Sequence, residues 1–326
     1  MSGELPCPPD FADIRQAALR LHGLAHRTPV LTSTCFNDRT GAQLFFKCEN
    51  FQKVGAFKFR GACNAIAALR PEQGRRGIIT HSSGNHGQAV ALAARLKGYP
   101  ATVVMPDNAA RIKVEAVRGY GAEIVFCEAT TPARAATVQR CLSERGGTFI
   151  PPYDHPDVIA GQGTAALELL EDVAGLDLVI APVGGGGLIS GTAIAVKHLR
   201  PNCRVIAAEP ANADDAARSF RSGRIEPVAT TTTIADGLRT SLGELTFDVI
   251  RTQVDDVVTV SEHAMVDAMR QVWERMKIII EPSCAVPLAA LLEGAVDVAG
   301  QRVGIIITGG NVDLDQVGQW FGRAPG

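Results

Sequence analysis

The chain has 326 residues, of which 46% are hydrophobic, and its 32 basic and 34 acidic side chains leave a formal net charge of −2. A chain of this length can bury a large core and form two domains. The two signs of charge are interspersed, which argues against a nucleic-acid-binding protein and against a membrane-surface protein. No apolar run approaches the ~20 residues that a membrane-spanning helix needs.

The first residues and the cysteines predict a cytoplasmic protein. The chain starts with an acidic, proline-rich segment, unlike a signal or transit peptide. Its eight cysteines are scattered and form no C-x-x-C pair. Scattered thiols in a chain this long are typical of reduced intracellular proteins, and they indicate neither a disulfide framework nor a zinc site.

Short apolar runs alternate with alanine-rich helical patterns along the chain, which predicts βαβ units and parallel sheets. The predicted strands are residues 43–47, 77–80, 101–105, 123–127, 178–183, 204–208 and 303–307. A helix is predicted over 261–277, where one face carries Met265, Met269, Val272, Trp273 and Met276. This stripe of methionine and aromatic side chains predicts a helix packed on the core rather than a cofactor site.

Lys58 lies in the run GAFKFRG (55–61), between two phenylalanines and bracketed by glycines. An amine among aromatic side chains is partly desolvated, and desolvation lowers its pKa. Such an amine is a nucleophile and a base. Taken alone, Lys58 would be interpreted as a solvated surface charge, but three later segments change that interpretation.

The first of these segments is SSGNHG (82–87), between the predicted strand 77–80 and a predicted helix over 88–96. The first N–H groups of a helix have no partner within it, and the helix dipole favours an anion there. An ordinary N-cap would need one polar side chain, from Ser83 or Asn85. Four such side chains interleaved with glycines indicate an anion-binding loop.

The second segment is the run of four glycines at 184–187, which follows the predicted strand 178–183. Consecutive glycines let the backbone close around a phosphate with N–H groups alone. The run is neither a G-x-G-x-x-G dinucleotide motif nor a P-loop. A flexible turn is the alternative, but a strand–helix junction favours a binding loop. The third segment begins at Thr308, whose hydroxyl ends a buried strand; by itself it would be interpreted as a strand-ending turn.

Together these segments resemble the fold-type II family of pyridoxal-phosphate enzymes, nearest to the serine racemases, the serine/threonine dehydratases and the 3-hydroxyaspartate dehydratases. The likeness runs from residues 28–30 through 45–53 to 309–313. It implies an α/β fold like that of the tryptophan synthase β subunit, with two parallel-sheet domains and the cofactor in the cleft between them. The large domain would comprise 1–74 and 148–326, and the small domain 75–147. The resemblance also implies a homodimer.

The resemblance assigns the cofactor-binding and catalytic roles. Lys58 would form a Schiff base with pyridoxal 5'-phosphate and then remove the substrate α-proton. Thr308 would meet the pyridine nitrogen, and a hydroxyl there leaves that nitrogen largely unprotonated, which suits β-elimination. The other cofactor contacts would be Phe57 beside the ring, Asn85 at the 3-hydroxyl, and Gly184, Gly185, Gly186 and Gly187 around the phosphate.

In the same family the loop 82–87 binds the substrate α-carboxylate. Its contacts here would be Ser82, Ser83, Asn85 and His86, although His86 could instead be a structural histidine. Ser83 would also face Lys58 across the cofactor plane, where the racemases handle the proton on the second face.

The run after the predicted strand 204–208 would bind a divalent cation through Glu209, the carbonyl of Ala213, and Asp215. Hard oxygen ligands suit Mg²⁺, Mn²⁺ or Ca²⁺. An acidic run is otherwise most simply a solvated turn. The resemblance implies a structural or activating ion rather than one at the reacting centre.

The distal end of the substrate would be recognised by Arg134, Arg239 and Thr240. Arg134 could equally be a solvated helix residue. Two guanidinium groups near the pocket would favour a second carboxylate by bidentate pairing, which points to 3-hydroxyaspartate. Tyr153 stands where the animal racemases carry asparagine, so the pocket wall differs there.

We therefore predict an ammonia-lyase that removes water from L-serine, L-threonine or 3-hydroxyaspartate and yields a 2-oxo acid and ammonia. A serine or aspartate racemase with side β-elimination is one alternative, and a phenylserine-type dehydratase is another. Synthase-type β-replacement fits the lysine and asparagine loops less well. A catalytically silent regulatory protein would have lost the lysine or the phosphate loop, and both are present.

Racemase-like members can bind nucleotide at a dimer interface. Lys53, Gln88 and Tyr120 keep parts of that pattern, but Val54 stands in place of a polar threonine. This departure argues against a nucleotide effector. The predicted partner is the small amino-acid substrate, with no nucleic acid and no membrane.

Overall fold

A computed structural model describes residues 7–109, 111–228 and 232–322. The strands are β1 Val30–Thr32, β2 Gln43–Cys48, β3 Ile78–His81, β4 Ala101–Pro106, β5 Glu123–Cys127, β6 Thr148–Phe149, β7 Leu178–Pro182, β8 Arg204–Pro210, β9 Asp256–Val260 and β10 Arg302–Ile307. The helices are α1 Phe11–Leu21, α2 Thr34–Thr40, α3 Lys58–Ala68, α4 Pro71–Arg75, α5 Asn85–Lys97, α6 Arg111–Gly119, α7 Thr131–Arg145, α8 Pro156–Asp172, α9 Gly187–Leu199, α10 Asp215–Ser222, α11 Glu244–Gln253, α12 Glu262–Met276, α13 Pro282–Leu292 and α14 Leu314–Phe321.

The strands form two sheets. One has six strands in the order β1-β2-β10-β7-β8-β9, and the other has four in the order β5-β4-β3-β6. All neighbouring pairs are parallel except β1 and β2, which are antiparallel. An α/β fold with parallel sheets is thereby confirmed. The four-stranded sheet lies within residues 78–149, while the exact domain boundaries stay a prediction.

Every predicted strand is present, with ends that differ by one or two residues. The strands β1, β6 and β9 were not predicted. The first two have three residues or fewer, too short for an alternating pattern to be recognised. Strand β9 lies at the edge of the larger sheet and begins with an exposed aspartate, so it lacks the continuous apolar run of a buried parallel strand.

The central strands of the larger sheet are buried on both faces. In β7, Leu178 and Ile180 pack in one apolar cluster with α12 and α13, while Val179 and Ala181 pack in another with α8 and α9. This alternation follows from the two-residue period of a strand. The predicted face of α12 is confirmed, since Met265, Met269 and Val272 are buried and Trp273 and Met276 pack against the same cluster.

A buried network of charges anchors α3. The Arg60 guanidinium, only 1% exposed, pairs with Glu49 at 2.7 Å and with Glu168 at 2.7 Å. The Lys47 amine lies 2.6 Å from Glu168 and is fully buried. These two cations and two carboxylates join β2, α3 and α8. Because buried charges are costly unless they are paired and hydrogen-bonded, the network fixes the position of α3, whose first residue is Lys58.

Parallel pairing brings the predicted site segments to one edge. Strands β10, β7 and β8 are neighbours and run in the same direction. Thr308 follows β10, the glycine run follows β7, and Glu209 lies near the end of β8. Ligands of open α/β sheets bind outside the carboxyl ends of the strands. In the described part of the chain, no helix has the length and apolar character to cross a membrane.

Candidate active site

Lys58 is half-buried and begins α3. Its amine donates a 2.6 Å hydrogen bond to the carbonyl of Pro152 and lies 5.2 Å from the centre of the Phe57 ring. Burial of the amine lowers the pKa of Lys58 to about 8, although the nearby Glu281 carboxyl acts in the opposite direction. Roughly a tenth of the amine is therefore unprotonated at pH 7, far more than for an ordinary lysine, and this free amine is the form that a nucleophile and base requires.

The segment before Lys58 is fixed beside Thr308. The backbone N–H of Phe57 donates to the carbonyl of Thr308 at 2.9 Å, and Ala56 forms an antiparallel bridge with Gly309. The Thr308 hydroxyl is buried and lies 3.0 Å from the sulfur of Cys284. The structure thus places Phe57, and with it Lys58, beside Thr308 from the far end of the sequence.

The polar loop lies at the N-terminus of α5, directly after β3. The helix N-cap is Gly84, which has no side chain to cap the first turn. The backbone N–H of Gly84 donates to the Ser82 hydroxyl at 3.0 Å, so that hydroxyl keeps its own proton for another acceptor. Because neither Ser83 nor Asn85 acts as N-cap, the free first-turn N–H groups are available to an anion.

The side-chain amide of Asn85 is held in one orientation. Its nitrogen donates to Glu281 at 2.9 Å, and its oxygen accepts from the amide of Asn311 at 2.9 Å. Asn311 in turn donates to the carbonyl of Val54 at 2.7 Å. Burial and, to a lesser extent, Asp236 raise the pKa of Glu281 to about 7. Glu281 was not among the site residues predicted from the sequence, although a carboxylate that directly follows the apolar run 278–280 was a usable signal.

His86 is buried, and its Nε2 lies 3.1 Å from the carbonyl of Ile150. A carbonyl only accepts, so Nε2 carries the proton and Nδ1 is unprotonated. Nδ1 has no partner among the described residues. Burial and, to a lesser extent, the Lys58 amine lower the pKa of His86 to about 3. The imidazole is therefore neutral, and it anchors the segment that carries the Pro152 carbonyl.

The glycine run connects β7 to α9, with Gly187 as the first residue of α9. A Cβ atom on Gly185 would overlap the Tyr153 ring, and Gly186 has a φ of 91°, which L side chains rarely adopt. Both positions therefore need glycine. Backbone amides at a helix N-terminus form a ready anion site. The glycines keep the N-terminus of α9 free of side chains.

The two predicted specificity arginines lie in different surroundings. Arg134 is close enough to His81, the residue before Ser82, to lower the pKa of that histidine, although burial is the larger cause. The Nε of Arg134 is buried and has no partner among the described residues. Arg239 donates through its Nε to the carbonyl of Thr233 at 2.9 Å.

Arg239 also lines a cavity of about 300 Å³ together with Lys113, Asp236 and Asn311. It is thus tied to its own loop, whereas Arg134 has a free donor beside the polar loop. Thr240, the remaining predicted contact, places its hydroxyl 3.2 Å from where a Cβ on Gly184 would lie. This hydroxyl borders the glycine run rather than Arg134.

Two buried carboxyl groups lie where the sequence predicts a cation site, which stays a prediction. Glu209 accepts from the backbone N–H of Ala217 at 2.6 Å, and one oxygen of Asp215 is buried without a partner among the described residues. Burial raises the pKa of Glu209 to about 9 and that of Asp215 to about 7. In the described ranges no cluster of three or more His, Cys, Asp or Glu side chains could hold a metal. The donors fit a hard cation that is completed by the Ala213 carbonyl and water.

The residues also fit pyridoxal phosphate. A desolvated amine, an aromatic side chain beside it and a buried hydroxyl lie at one end of the site. A side-chain-free loop at a helix N-terminus lies at the end of β7. These groups match an aldehyde, an aromatic ring, a ring nitrogen and a phosphate, respectively.

Comparisons with known proteins agree with this geometry. The family model described as pyridoxal-phosphate dependent enzyme matches residues 22–309. A β-hydroxyaspartate dehydratase of Paracoccus denitrificans is 50% identical over 309 residues, which cover 95% of this chain and 98% of that protein. A serine racemase of Arabidopsis thaliana is 47% identical over 317 residues, which cover 96% of each.

Among solved structures, maize serine racemase superposes with a TM-score of 0.93 at 48% identity, covering 96% of this chain and 97% of that one. The family match and the identities extend over nearly the whole chain. Independently of these comparisons, the residues of the site fit the chemical groups of pyridoxal phosphate. The chain therefore belongs to the family of pyridoxal-phosphate-dependent enzymes.

Proposed function

We propose that this enzyme is an ammonia-lyase that removes water from 3-hydroxyaspartate to give a 2-oxo acid and ammonia. The single observation that carries the substrate choice is the free donor of Arg134 beside the carboxylate-binding loop. An unpaired guanidinium N–H at that position suits a second carboxylate on the substrate. The relative from Paracoccus denitrificans bears the name of this activity.

Lys58 is the base in this proposal. Bound pyridoxal phosphate supplies the electron sink that stabilises negative charge at the substrate α-carbon. The amine of Lys58 removes the α-proton, and its lowered pKa keeps it unprotonated often enough to do so. The Pro152 carbonyl, which accepts from the amine at 2.6 Å, orients it and stabilises the ammonium that forms.

The α-carboxylate is bound in our proposal by the first-turn N–H groups of α5 and by the hydroxyls of Ser82 and Ser83. The neutral imidazole of His86 has its N–H directed to Ile150, so it offers no positive charge to the carboxylate. We therefore assign to the His86 imidazole only its contact with the Ile150 carbonyl, and no contact with the substrate. Asn85, held by Glu281 and Asn311, presents its remaining N–H to the cofactor's 3-oxygen.

The Thr308 hydroxyl donates to the pyridine nitrogen in this proposal. A neutral donor there leaves the nitrogen unprotonated and limits the lifetime of charge on the ring. The β-hydroxyl then leaves with the electron pair, which favours elimination over other fates. The preference for elimination follows from the Thr308 hydroxyl, and it does not depend on Arg134.

We also propose a divalent cation at Glu209, Ala213 and Asp215. The buried, unpartnered oxygen of Asp215 supports it, because such an oxygen is costly without a partner. The ion would stabilise the end of β8 rather than take part in the reaction. The homodimer and the cytoplasmic location stay predictions.

A second candidate function is serine racemisation. Ser83 lies in the loop between β3 and α5, where a hydroxyl could return a proton to the face opposite Lys58. Two of the relatives described above, the Arabidopsis protein and the maize structure, are named serine racemases.

The experiment that tests the proposal measures 2-oxo acid and ammonia from L-serine, L-threonine, both 3-hydroxyaspartate diastereomers and phenylserine, with added Mg²⁺. We expect kcat/KM to be highest for one 3-hydroxyaspartate diastereomer. A preference for serine or threonine would contradict the role of Arg134. Slow elimination from every substrate, together with chiral inversion of serine or aspartate, would favour the racemase instead.

A further inference from the structure

The carbonyl of Gly185 is held by a residue outside the glycine run. Thr246, in the first turn of α11, is fully buried, and its hydroxyl donates to the Gly185 carbonyl at 2.8 Å. The same hydroxyl accepts from the backbone N–H of Gly243 at 3.0 Å. Its single proton has two carbonyl acceptors within reach, Gly185 at 2.8 Å and Gly243 at 3.1 Å, and the shorter contact favours Gly185.

This bond has a consequence for anion binding. A carbonyl oxygen that faced into the loop would repel a phosphate, whereas N–H groups attract it. The Thr246 hydroxyl fixes the Gly185 carbonyl on its own side, and Gly186 then takes the positive φ of 91°. A residue with positive φ next to one with ordinary backbone angles directs their successive N–H groups to the same side of the backbone.

The first turn of α11, which carries Thr246, is held by both oxygens of Asp154. The backbone N–H of Thr246 donates to one Asp154 oxygen at 3.2 Å, and the N–H of Glu244 donates to the other at 3.1 Å. The residue before Asp154 is Tyr153, whose ring fills the space beside Gly185. A Cβ on Gly186 would lie only 2.7 Å from the Cβ of Thr246, so the loop is in close contact on both sides.

We propose that Thr246 is a positioning residue for the cofactor phosphate: its hydroxyl turns the Gly185 carbonyl out of the loop and leaves the loop N–H groups to the phosphate. Asp154 supports this role by fixing the first turn of α11. The proposal concerns the cofactor alone, so it does not depend on which amino acid the enzyme accepts.

The test compares cofactor affinities in the full-length apoprotein. Thr246→Val keeps the shape of the side chain and removes the donor, while Thr246→Ser keeps the donor and removes the methyl group. Each variant is titrated with pyridoxal phosphate and with pyridoxal, which lacks the phosphate, and binding is followed by visible absorbance.

We expect Thr246→Val to bind pyridoxal phosphate about tenfold more weakly, as loss of a buried hydrogen bond predicts. Its affinity for pyridoxal should be unchanged, and Thr246→Ser should match the unaltered protein for both ligands. An equal loss for both ligands, or no loss for either, would overturn the proposal.

Two further variants keep the test decisive. Ser190→Ala removes a hydroxyl that donates to the Thr246 carbonyl at 3.2 Å, and it should change neither affinity because it leaves the Gly185 bond intact. If Thr246→Val fails to fold, Asp154→Asn provides the same comparison and should weaken binding of pyridoxal phosphate alone, by about threefold. An unselective result with Asp154→Asn would also count against the proposal.

Discussion

The amine of Lys58 donates to the carbonyl of Pro152, a residue 94 positions further along the chain. This contact joins the start of α3 to the segment between β6 and α8 and places the base of the reaction at the centre of the site. A carbonyl cannot lose or gain a proton at working pH, so it orients the amine and stabilises its protonated form without taking the proton itself.

Replacement of Lys58 by alanine should abolish turnover, by about 10³-fold or more, because the base is lost. The visible absorbance of the bound cofactor should change with it, since no amine remains at that position. Lys53→Ala is the matched control, as Lys53 belongs to the same segment and its amine lies over the Phe59 ring instead. Retained turnover in Lys58→Ala would disprove the assignment.

The pKa of Lys58 predicts how the apoprotein takes up its cofactor. Only the unprotonated amine reacts with the aldehyde, and the folded-state pKa is about 8. The uptake rate should therefore rise with pH and level off above about 8. Because this pKa is lowered on folding, the unfolded chain binds more protons between pH 8 and 10.5. The stability of the apoprotein should therefore increase over that interval.

Stopped-flow absorbance between pH 6 and 10 measures the uptake rate. A midpoint near the ordinary lysine value of 10.5 would mean that the amine is solvated in the apoprotein.

Ser83→Ala should separate the two candidate reactions. If Ser83 returns a proton on the second face, its loss should remove racemisation and leave elimination from L-serine within a few-fold of the unaltered enzyme. Chiral chromatography and 2-oxo acid release measure the two rates on one sample. Equal loss of both would mean that the hydroxyl acts only through the carboxylate contact and transfers no proton.

The two arginines give a matched pair for substrate choice. Arg134→Met should raise KM for 3-hydroxyaspartate by about 30-fold, the effect of losing a charged hydrogen bond of ~2 kcal/mol, and leave KM for serine nearly unchanged. Arg239→Met should change neither, because Arg239 is bonded to Thr233. A reversed pattern would place the distal carboxylate in the cavity beside Arg239.

Neighbouring aspartates give a similar pair for the cation. After chelation, Mg²⁺, Mn²⁺ or Ca²⁺ should raise Tm, because a ligand that binds only the folded state stabilises it. Asp215→Asn should abolish that rise. Asp214→Asn should keep it, since Asp214 is paired with Arg218 at 2.8 Å. No rise in Tm with any of the three ions would contradict the site.

The sequence predicted most of the elements that carry the site. Apolar runs predicted β7 and β10, and the residues that follow them, the glycine run and Thr308, belong to local motifs. Contacts between distant segments could not be predicted this way. The Pro152 carbonyl, Glu281 and Thr246 act through bonds to residues 94, 196 and 61 positions away, and no local pattern marks them.

His86 illustrates the same limit within a motif. The sequence predicted that the helix starts at residue 88, whereas α5 begins at Asn85 and includes His86. The sequence also left open whether the His86 side chain binds substrate or supports the fold. The structure buries the imidazole against the Ile150 carbonyl. That outcome depends on where the chain after β6 runs, which the loop itself does not encode.

The buried network around Arg60 restricts how this enzyme can be altered. Arg60 donates to both Glu49 and Glu168, and Glu168 also accepts from Lys47. Removing Arg60 leaves Glu49 without a cation, and removing Glu168 leaves Lys47 without its nearest carboxylate, each at a cost of about 3–5 kcal/mol, whereas replacing all four with well-packed apolar side chains can be neutral. A library that varies these positions one at a time would therefore yield mostly unfolded variants, and useful substitutions at α3 would be found only as sets.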